Sequence, residues 1–229
     1  GAGIAPEAIH KIPIGIDTQQ FRPPTVQERS RVRAELGLGP ETFVIGSFQK
    51  DGVGWGEGNE PKWIKGPDVF AEVCGRLRGE IPGLTVLLTG PARGYLKNRL
   101  RELGIPFVHR HLASPAEVAC YYAALDTYLV ASRQEGGPKA VLESMACGVP
   151  LVSTKVGQAS EIVDDGLNGF LVDAENVENL TEKTLAISRN DSIQAQFRDQ
   201  GIIKADRFSH SNLDVLWGKF FHHFVEINE

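Results

Sequence analysis

Apolar residues along this chain fall into two alternating textures: short unbroken runs, and longer stretches in which they recur every third or fourth position. The run Tyr128 to Ala131, within Ala-Leu-Asp-Thr-Tyr-Leu-Val-Ala-Ser, has the length and flanks of a buried strand. Read the same way, the chain predicts strands near residues 42–48, 84–89, 106–110, 127–131, 150–154 and 169–172. Helices are predicted near 25–37, 66–79, 94–104, 115–125, 138–147, 158–164 and 176–188. Beyond Asn190 the pattern is helical, with Ser209 as the N-cap of a last helix. Ahead of the first helix lie a short β-like segment, Ile9 to Ile16, and a turn-rich linker from Asp17 to Pro24. Strands joined by helical crossovers make an α/β fold: a doubly wound, parallel, Rossmann-like sheet of about six strands with helices on both faces. Ligands of such sheets sit outside the carboxyl ends of the strands.

The stretch after the fourth strand carries the densest chemistry. It reads Glu135-Gly-Gly-Pro-Lys-Ala-Val-Leu-Glu143 and continues Ser-Met-Ala-Cys-Gly-Val-Pro. Gly136 and Gly137 let the backbone turn, and Pro138 suits the first helical position. Val141, Leu142 and Met145 then form an apolar helix face, closed by Cys147-Gly148. Strand, glycine turn and helix together aim unpaired N–H groups at an anion such as a diphosphate. Glu143 lies about 7.5 Å beyond Pro138 along the helix axis, at about 1.5 Å per residue. A carboxylate beside a phosphate is repelled by it, so Glu135 and Glu143 are useful there for accepting hydrogen bonds from hydroxyls. A ligand with hydroxyls at both ends and phosphates in the middle is a nucleoside diphosphate sugar. Lys139, at a helix start where the dipole disfavours a cation, is read as facing the phosphate.

Glu-x7-Glu in EGGPKAVLE, followed by SMACGVPLVSTKVGQASEIVDDGLNGFLV, closely resembles the donor-binding half of retaining GT-B glycosyltransferases of the large family four. IPIGIDTQQFRP at residues 12–23 resembles the segment leading into that half, and the likeness extends to about residue 205. The resemblance implies that Glu135, the catalytic assignment, contacts the donor sugar and that Glu143 holds the ribose. It also implies that backbone from Gly136 through Gly137, Pro138 and Lys139 to Ala140 holds the phosphates. In that family the first strand usually ends in Gly-Arg with Lys-Gly close behind, two cations gripping the diphosphate. Here Lys65-Gly66 matches the second, Ser47 takes the arginine's place, and Lys50 is the stand-in cation, with Asp51 to Lys62 inserted between. A lysine lacks arginine's planar fork, so the donor's geometry is expected to differ. Arg110 and His111, after a strand end, are placed near the nucleobase by the same resemblance; a polar strand end is the alternative. Family members often carry an aromatic residue and a glycine where Gly137 and Pro138 stand here, which leaves the donor sugar's identity open.

The implied organisation is a lead-in from a missing N-terminal acceptor domain (1–24), a nucleotide-sugar-binding domain (25–208) and a C-terminal amphipathic helix (209–229). The implied activity is that of a glycosyltransferase of hexosyl type. It moves a glycosyl group to an acceptor hydroxyl with retention, by positioning and phosphate stabilisation, with no metal and no cofactor. The chain alone is expected to bind the donor and to be inactive. A non-catalytic nucleotide-binding module and a GT-B-like sugar-nucleotide epimerase stay open beside it. NAD is disfavoured because no Gly-x-Gly-x-x-Gly follows the first strand.

Composition narrows the partners. With 24 basic against 29 acidic residues the net charge is −5, which offers no basic field for nucleic acid. No apolar run approaches the roughly 18 residues of a spanning helix, and no signal peptide is expected at the start of the chain. Cys74, Cys120 and Cys147, with no Cys-x-x-Cys pair, read as reduced, buried thiols in a cytoplasmic protein. A peripheral membrane association of the full-length protein stays open. The acidic residues of 51–62 do not follow an EF-hand spacing, and no metal site is expected. Leu213, Leu216, Trp217, Phe220, Phe221, Phe224 and Val225 form a wide apolar stripe. It is expected to pack on its own chain, with self-association through this helix as the alternative.

Overall fold

A computed structural model describes residues 9–112 and 114–226, with backbone alone at 115 and 223–226. Residues 1–8 of the lead-in, and the side chains of Phe224 and Val225 in the apolar stripe, lie outside the described residues. Helix α1 (Val26–Glu35) opens on a capping box: Thr25 Oγ1 accepts from the Glu28 N–H, and the Glu28 carboxylate accepts from the Thr25 N–H. There follow β1 (Val44–Phe48), α2 (Pro67–Leu77), β2 (Thr85–Thr89), α3 (Gly94–Glu102), β3 (Phe107–Arg110), α4 (Val118–Tyr122) and β4 (Thr127–Val130). The second half adds α5 (Lys139–Ala146), β5 (Leu151–Thr154), α6 (Ala159–Ile162), β6 (Phe170–Val172), α7 (Val177–Ser188), α8 (Asp191–Arg207) and α9 (His210–Glu226). All six strands pair in parallel in the order β3-β2-β1-β4-β5-β6, the Rossmann-like order expected from the alternation of elements.

Because successive strand residues point to opposite faces, each strand feeds two core layers. Val44, Leu87, Tyr128 and Leu151 enter one, against Val32 of α1, Tyr122 of α4 and Val141 of α5. Ile45, Val86, Leu129 and Val152 enter the other, against Phe70 of α2, Leu96 of α3 and Leu180 of α7. Buried on both faces, these strands read as continuous apolar runs rather than alternations. The chain order reverses between β1 and β4, and their carboxyl ends form the crevice that such sheets offer to ligands.

Three expectations need correction. Ile9 to Ile16 forms no strand. Ile16 makes only an isolated bridge to Ser209, donating to Phe208 O and accepting from the His210 N–H, because it runs against the junction of α8 and α9 rather than beside an edge strand of the sheet. Cys74 and Cys147 are buried but Cys120 is exposed, since it lies about 200° around α4 from the buried Tyr122. The apolar stripe of α9 is packed on its own chain only in part, the half-buried Phe220 ring meeting the His10 ring at 5.2 Å. Leu213 is buried, but residues 214–219 are all exposed, and the Trp217 and Phe221 rings stack on each other at 5.8 Å in the open. Ser209 does cap this helix, its Oγ accepting from the Asn212 N–H at 3.3 Å. Among the described residues no helix is long and apolar enough to cross a membrane.

Candidate functional site

Beyond β4 the chain enters the Glu135 turn, and Arg133 fixes that turn from outside. Its guanidinium donates to both oxygens of Asp68 at 2.8 and 2.7 Å, to Glu175 at 2.7 Å and to Trp63 O at 2.7 Å. The Arg133 and Gln134 N–H groups both donate to Ile64 O. These bonds draw the turn against a short 3-10 turn, Trp63–Lys65. The next residue, Gly66, has φ 61°, and a Cβ there would stand 1.9 Å from Ala131 O, so glycine alone permits the approach. Lys65 Nζ thereby reaches Glu135 Oε1 at 2.5 Å, and the same oxygen accepts from Ser132 Oγ at 3.0 Å. Behind the turn, the Gln158 N–H donates to Gly136 O, and the Gln158 side chain bonds both backbone groups of Ile14.

Glu143 sits one helical stretch further on, at the inner face of α5. Tyr122 Oη donates to its Oε2 at 2.8 Å. Burial pushes the Glu143 carboxyl above the usual carboxylate range, opposed by the Tyr122 bond and by Lys139. The Tyr122 hydroxyl, itself fully buried, is raised well above the ordinary tyrosine value by desolvation and by Glu143. Phe48 packs edge-on against Tyr122 at 4.8 Å, and its N–H donates to Tyr128 Oη at 2.8 Å. Pro138, expected as the first helical residue, is instead the N-cap with ψ 98°, and α5 opens at Lys139.

A cavity of about 230 Å³ lies at the carboxyl ends of β1 and β4. Its lining brings together Lys65, Glu135, Gly137, Pro138, Lys139, Ala140 and Glu143. Gly136 stands on the turn beside it, its missing Cβ facing open space. Phe48, Gln49 and Tyr128 also line the cavity and were missed in the sequence. Their position at the ends of the first and fourth strands was the available signal. Three further residues of the sequence reading stand elsewhere. Lys50 Nζ lies 3.7 Å over the exposed Trp55 ring, Arg110 reaches Glu35 O at 3.5 Å, and His111 leans on the His109 ring at 4.5 Å.

The β1 end also contains a residue that nothing local in the sequence marks. Arg93 is buried in the loop between β2 and α3. Its guanidinium donates to Ser47 O and Thr89 O at 2.7 Å and to Ser47 Oγ at 2.9 Å, and its Nε stands 3.0 Å from the buried Asp51. The inserted segment then closes on itself, with the Lys62 N–H on Asp51 O at 2.7 Å and the Val53 N–H on Glu60 O at 2.9 Å. The chain leaves and returns at one point, so Lys65 arrives beside Glu135 despite the insertion.

The profile of the family described as glycosyl transferases group 1 matches residues 56–190. The chain belongs to the group 1 glycosyl transferases. Similar members include a D-inositol 3-phosphate glycosyltransferase of Segniliparus rotundus, 30% identical over 89% of this chain and 44% of that protein. Another is the lipopolysaccharide core biosynthesis mannosyltransferase LpsB of Rhizobium meliloti, 30% identical over 75% of this chain and 48% of that protein. The group 1 chain thus spans about half the length of the curated relatives it matches. Among solved structures, HepE of Anabaena in complex with UDP and glucose has TM-score 0.80 at 23% identity, covering 96% of this chain and 58% of that one. The C-terminal domain of a group 1 glycosyl transferase, LpcC of Francisella tularensis, has TM-score 0.68 at 23% identity, covering 84% of this chain and 97% of that one. At these identities the likeness bears on the fold, a parallel six-stranded Rossmann-like sheet.

Proposed function

We propose that this chain is the donor-binding half of a retaining glycosyltransferase, taking a nucleoside diphosphate sugar in the cavity between β1 and β4. The observation that carries the reading is that Lys65, Glu135, Glu143 and the start of α5 share one cavity at the sheet's switch point. In this reading Lys65 and the first N–H groups of α5 neutralise the charge that develops on the leaving diphosphate. Glu135 accepts from hydroxyls of the donor sugar and Glu143 from the ribose. A neighbour solved with UDP and glucose supports a uridine nucleotide as the first donor to try. Residues 25–208 form the binding domain, and the acceptor surface belongs to the half of the relatives' length that this chain does not span.

The test is calorimetry with UDP-, GDP- and ADP-sugars, then incubation with candidate acceptors while nucleoside diphosphate release is followed. Binding of one donor class without sustained release is the expected result. A folded chain that binds none of the donors overturns the reading. Sustained turnover by this chain alone overturns the assignment of the acceptor surface to the other half. Retention is checked by NMR of the product's anomeric proton from the full-length enzyme.

A further inference from the structure

Glu143 presents its two carboxylate oxygens differently. Oε2 is held by the Tyr122 hydroxyl at 2.8 Å, whereas Oε1 has no hydrogen-bond partner among the described residues and is not enclosed. Tyr122 is itself immobilised. Its side chain is fully buried, and rings from three other parts of the chain pack on it: Phe48 at 4.8 Å, Tyr128 at 5.5 Å and Phe21 at 6.1 Å. Burial fixes where the Glu143 carboxylate lies but not which oxygen faces the cavity, so its final torsion is set by what it bonds. A buried tyrosine hydroxyl in turn needs a partner, and this one has Glu143.

We propose that Tyr122 is a positioning residue for Glu143: by taking Oε2 it leaves Oε1 directed at the ligand's ribose hydroxyls. The inference rests on the ribose reading of Glu143 and adds the residue that makes that carboxylate a directed acceptor. The competing account is that the bond only satisfies a buried hydroxyl, in which case losing it would weaken the fold and disturb every ligand alike.

UDP, GDP and ADP are titrated calorimetrically into the full chain, and the tightest is compared with its 2′,3′-dideoxy counterpart. Tyr122→Phe should lose roughly five- to tenfold in affinity for the ribose ligand, the scale of one hydrogen bond. It should bind the dideoxy ligand as the wild type does, and it should add no loss in a Glu143→Ala background, where no side chain is left for it to aim. Equal losses on both ligands, or no loss on either, overturn the proposal. Each variant is compared with itself on two ligands, so a general weakening of the fold cancels. Tyr122→Met, which also lacks the hydroxyl, must reproduce the pattern. The ribose reading fails separately: that outcome is a wild type binding both ligands equally and a Glu143→Gln variant indistinguishable from it, and it takes the Tyr122 proposal down with it. If Glu143→Gln loses affinity for the ribose ligand alone and Tyr122→Phe does not, only the positioning role is overturned.

Discussion

At the β4–α5 end of the cavity, Glu135 and Glu143 stand where an unbroken strand, turn and helix deliver them. At the β1 end, the segment Asp51 to Lys62 intervenes between the strand and Lys65, and a buried arginine from a third loop governs where the chain goes. The first end is held by apolar packing beneath it and, from outside, by the bonds of Arg133 to Asp68, Glu175 and Trp63 O. The second is held by one buried ion pair, Arg93 with Asp51, and by backbone laid on backbone: the Gly94 and Tyr95 N–H groups donate to Glu57 O and Gly58 O, and a Cβ on Gly58 would stand 2.3 Å from Ala92. Contiguity makes the first end tolerant, since many contacts share its support. Concentration makes the second fragile, since the one buried charge pair at this end joins Ser47, Thr89 and Asp51 through a single side chain.

The largest expected effect tests that fragility. Arg93→Met leaves Asp51 as a buried carboxylate without its counter-charge, and breaking such a pair from one side destabilises by about 3–5 kcal/mol. Denaturant unfolding should show that loss, and Arg93→Met combined with Asp51→Leu should recover much of it. A single variant within about 0.5 kcal/mol of wild type would mean that the insertion is held by its own hydrogen bonds and that the contrast between the two ends is false.

The same contrast explains what could be read from the sequence. Alternating apolar runs and helical periodicity were sufficient for all six strands, because a parallel sheet buried on both faces writes each strand as one continuous run. Glu135, Pro138, Lys139 and Glu143 were legible because spacing within one regular stretch translates directly into position on one cavity wall. Lys50 is the cation nearest in sequence to Ser47, where the family usually has arginine, but the inserted loop supplies Trp55 as a competing partner for its ammonium group. Arg93 was invisible for the converse reason. Its partners Ser47 and Asp51 lie far away in sequence, and no local pattern distinguishes a buried arginine from a solvated one. The open stripe of α9 misled for a third reason, since periodicity shows that a helix has an apolar face but not that anything covers it.

Lys65→Ala sharpens the comparison at the point where the two ends meet. The variant removes a cation from the proposed phosphate site and also unmasks Glu135, whose side chain is only 12% exposed. A charged hydrogen bond contributes about 1.5–3 kcal/mol, so nucleoside diphosphate affinity should fall roughly 10- to 150-fold while nucleoside affinity holds. Parallel losses for both ligands would remove Lys65 from the phosphate site. Glu135→Gln should act less strongly and in opposite directions. It frees Lys65 from its partner at 2.5 Å, so nucleoside diphosphate should bind a few-fold tighter, while the nucleotide sugar loses the acceptor for its hydroxyls. Calorimetry that finds both ligands weakened would mean that Glu135 does not compete with the phosphate for Lys65.

The smallest expected effect concerns the cost of keeping Glu143 where it is. Its carboxyl is held above the usual range chiefly by burial, so between the unfolded and folded pKa values the folded chain binds the extra proton. Stability from this group is therefore fully present below the unfolded value, about 4.3, and is lost as pH rises through the raised folded value. Asp51 is also raised by burial, but it is common to wild type and Glu143 variants and cancels in their difference. In Glu143→Gln the group does not titrate, and its neutral amide can still accept from Tyr122. Without ligand, the variant's melting temperature should match the wild type's near pH 4 and exceed it at pH 8 by a small margin, on the order of 2 °C. The order should reverse at pH 8 with saturating nucleoside diphosphate, because only the wild type then has the charged acceptor for the ribose. A variant that tracks the wild type at both pH values would show that Glu143 carries no burial penalty at the better-supported end of the cavity. The ionised carboxylate would then cost the empty chain nothing that a ligand has to offset, and the comparison would lose its functional half.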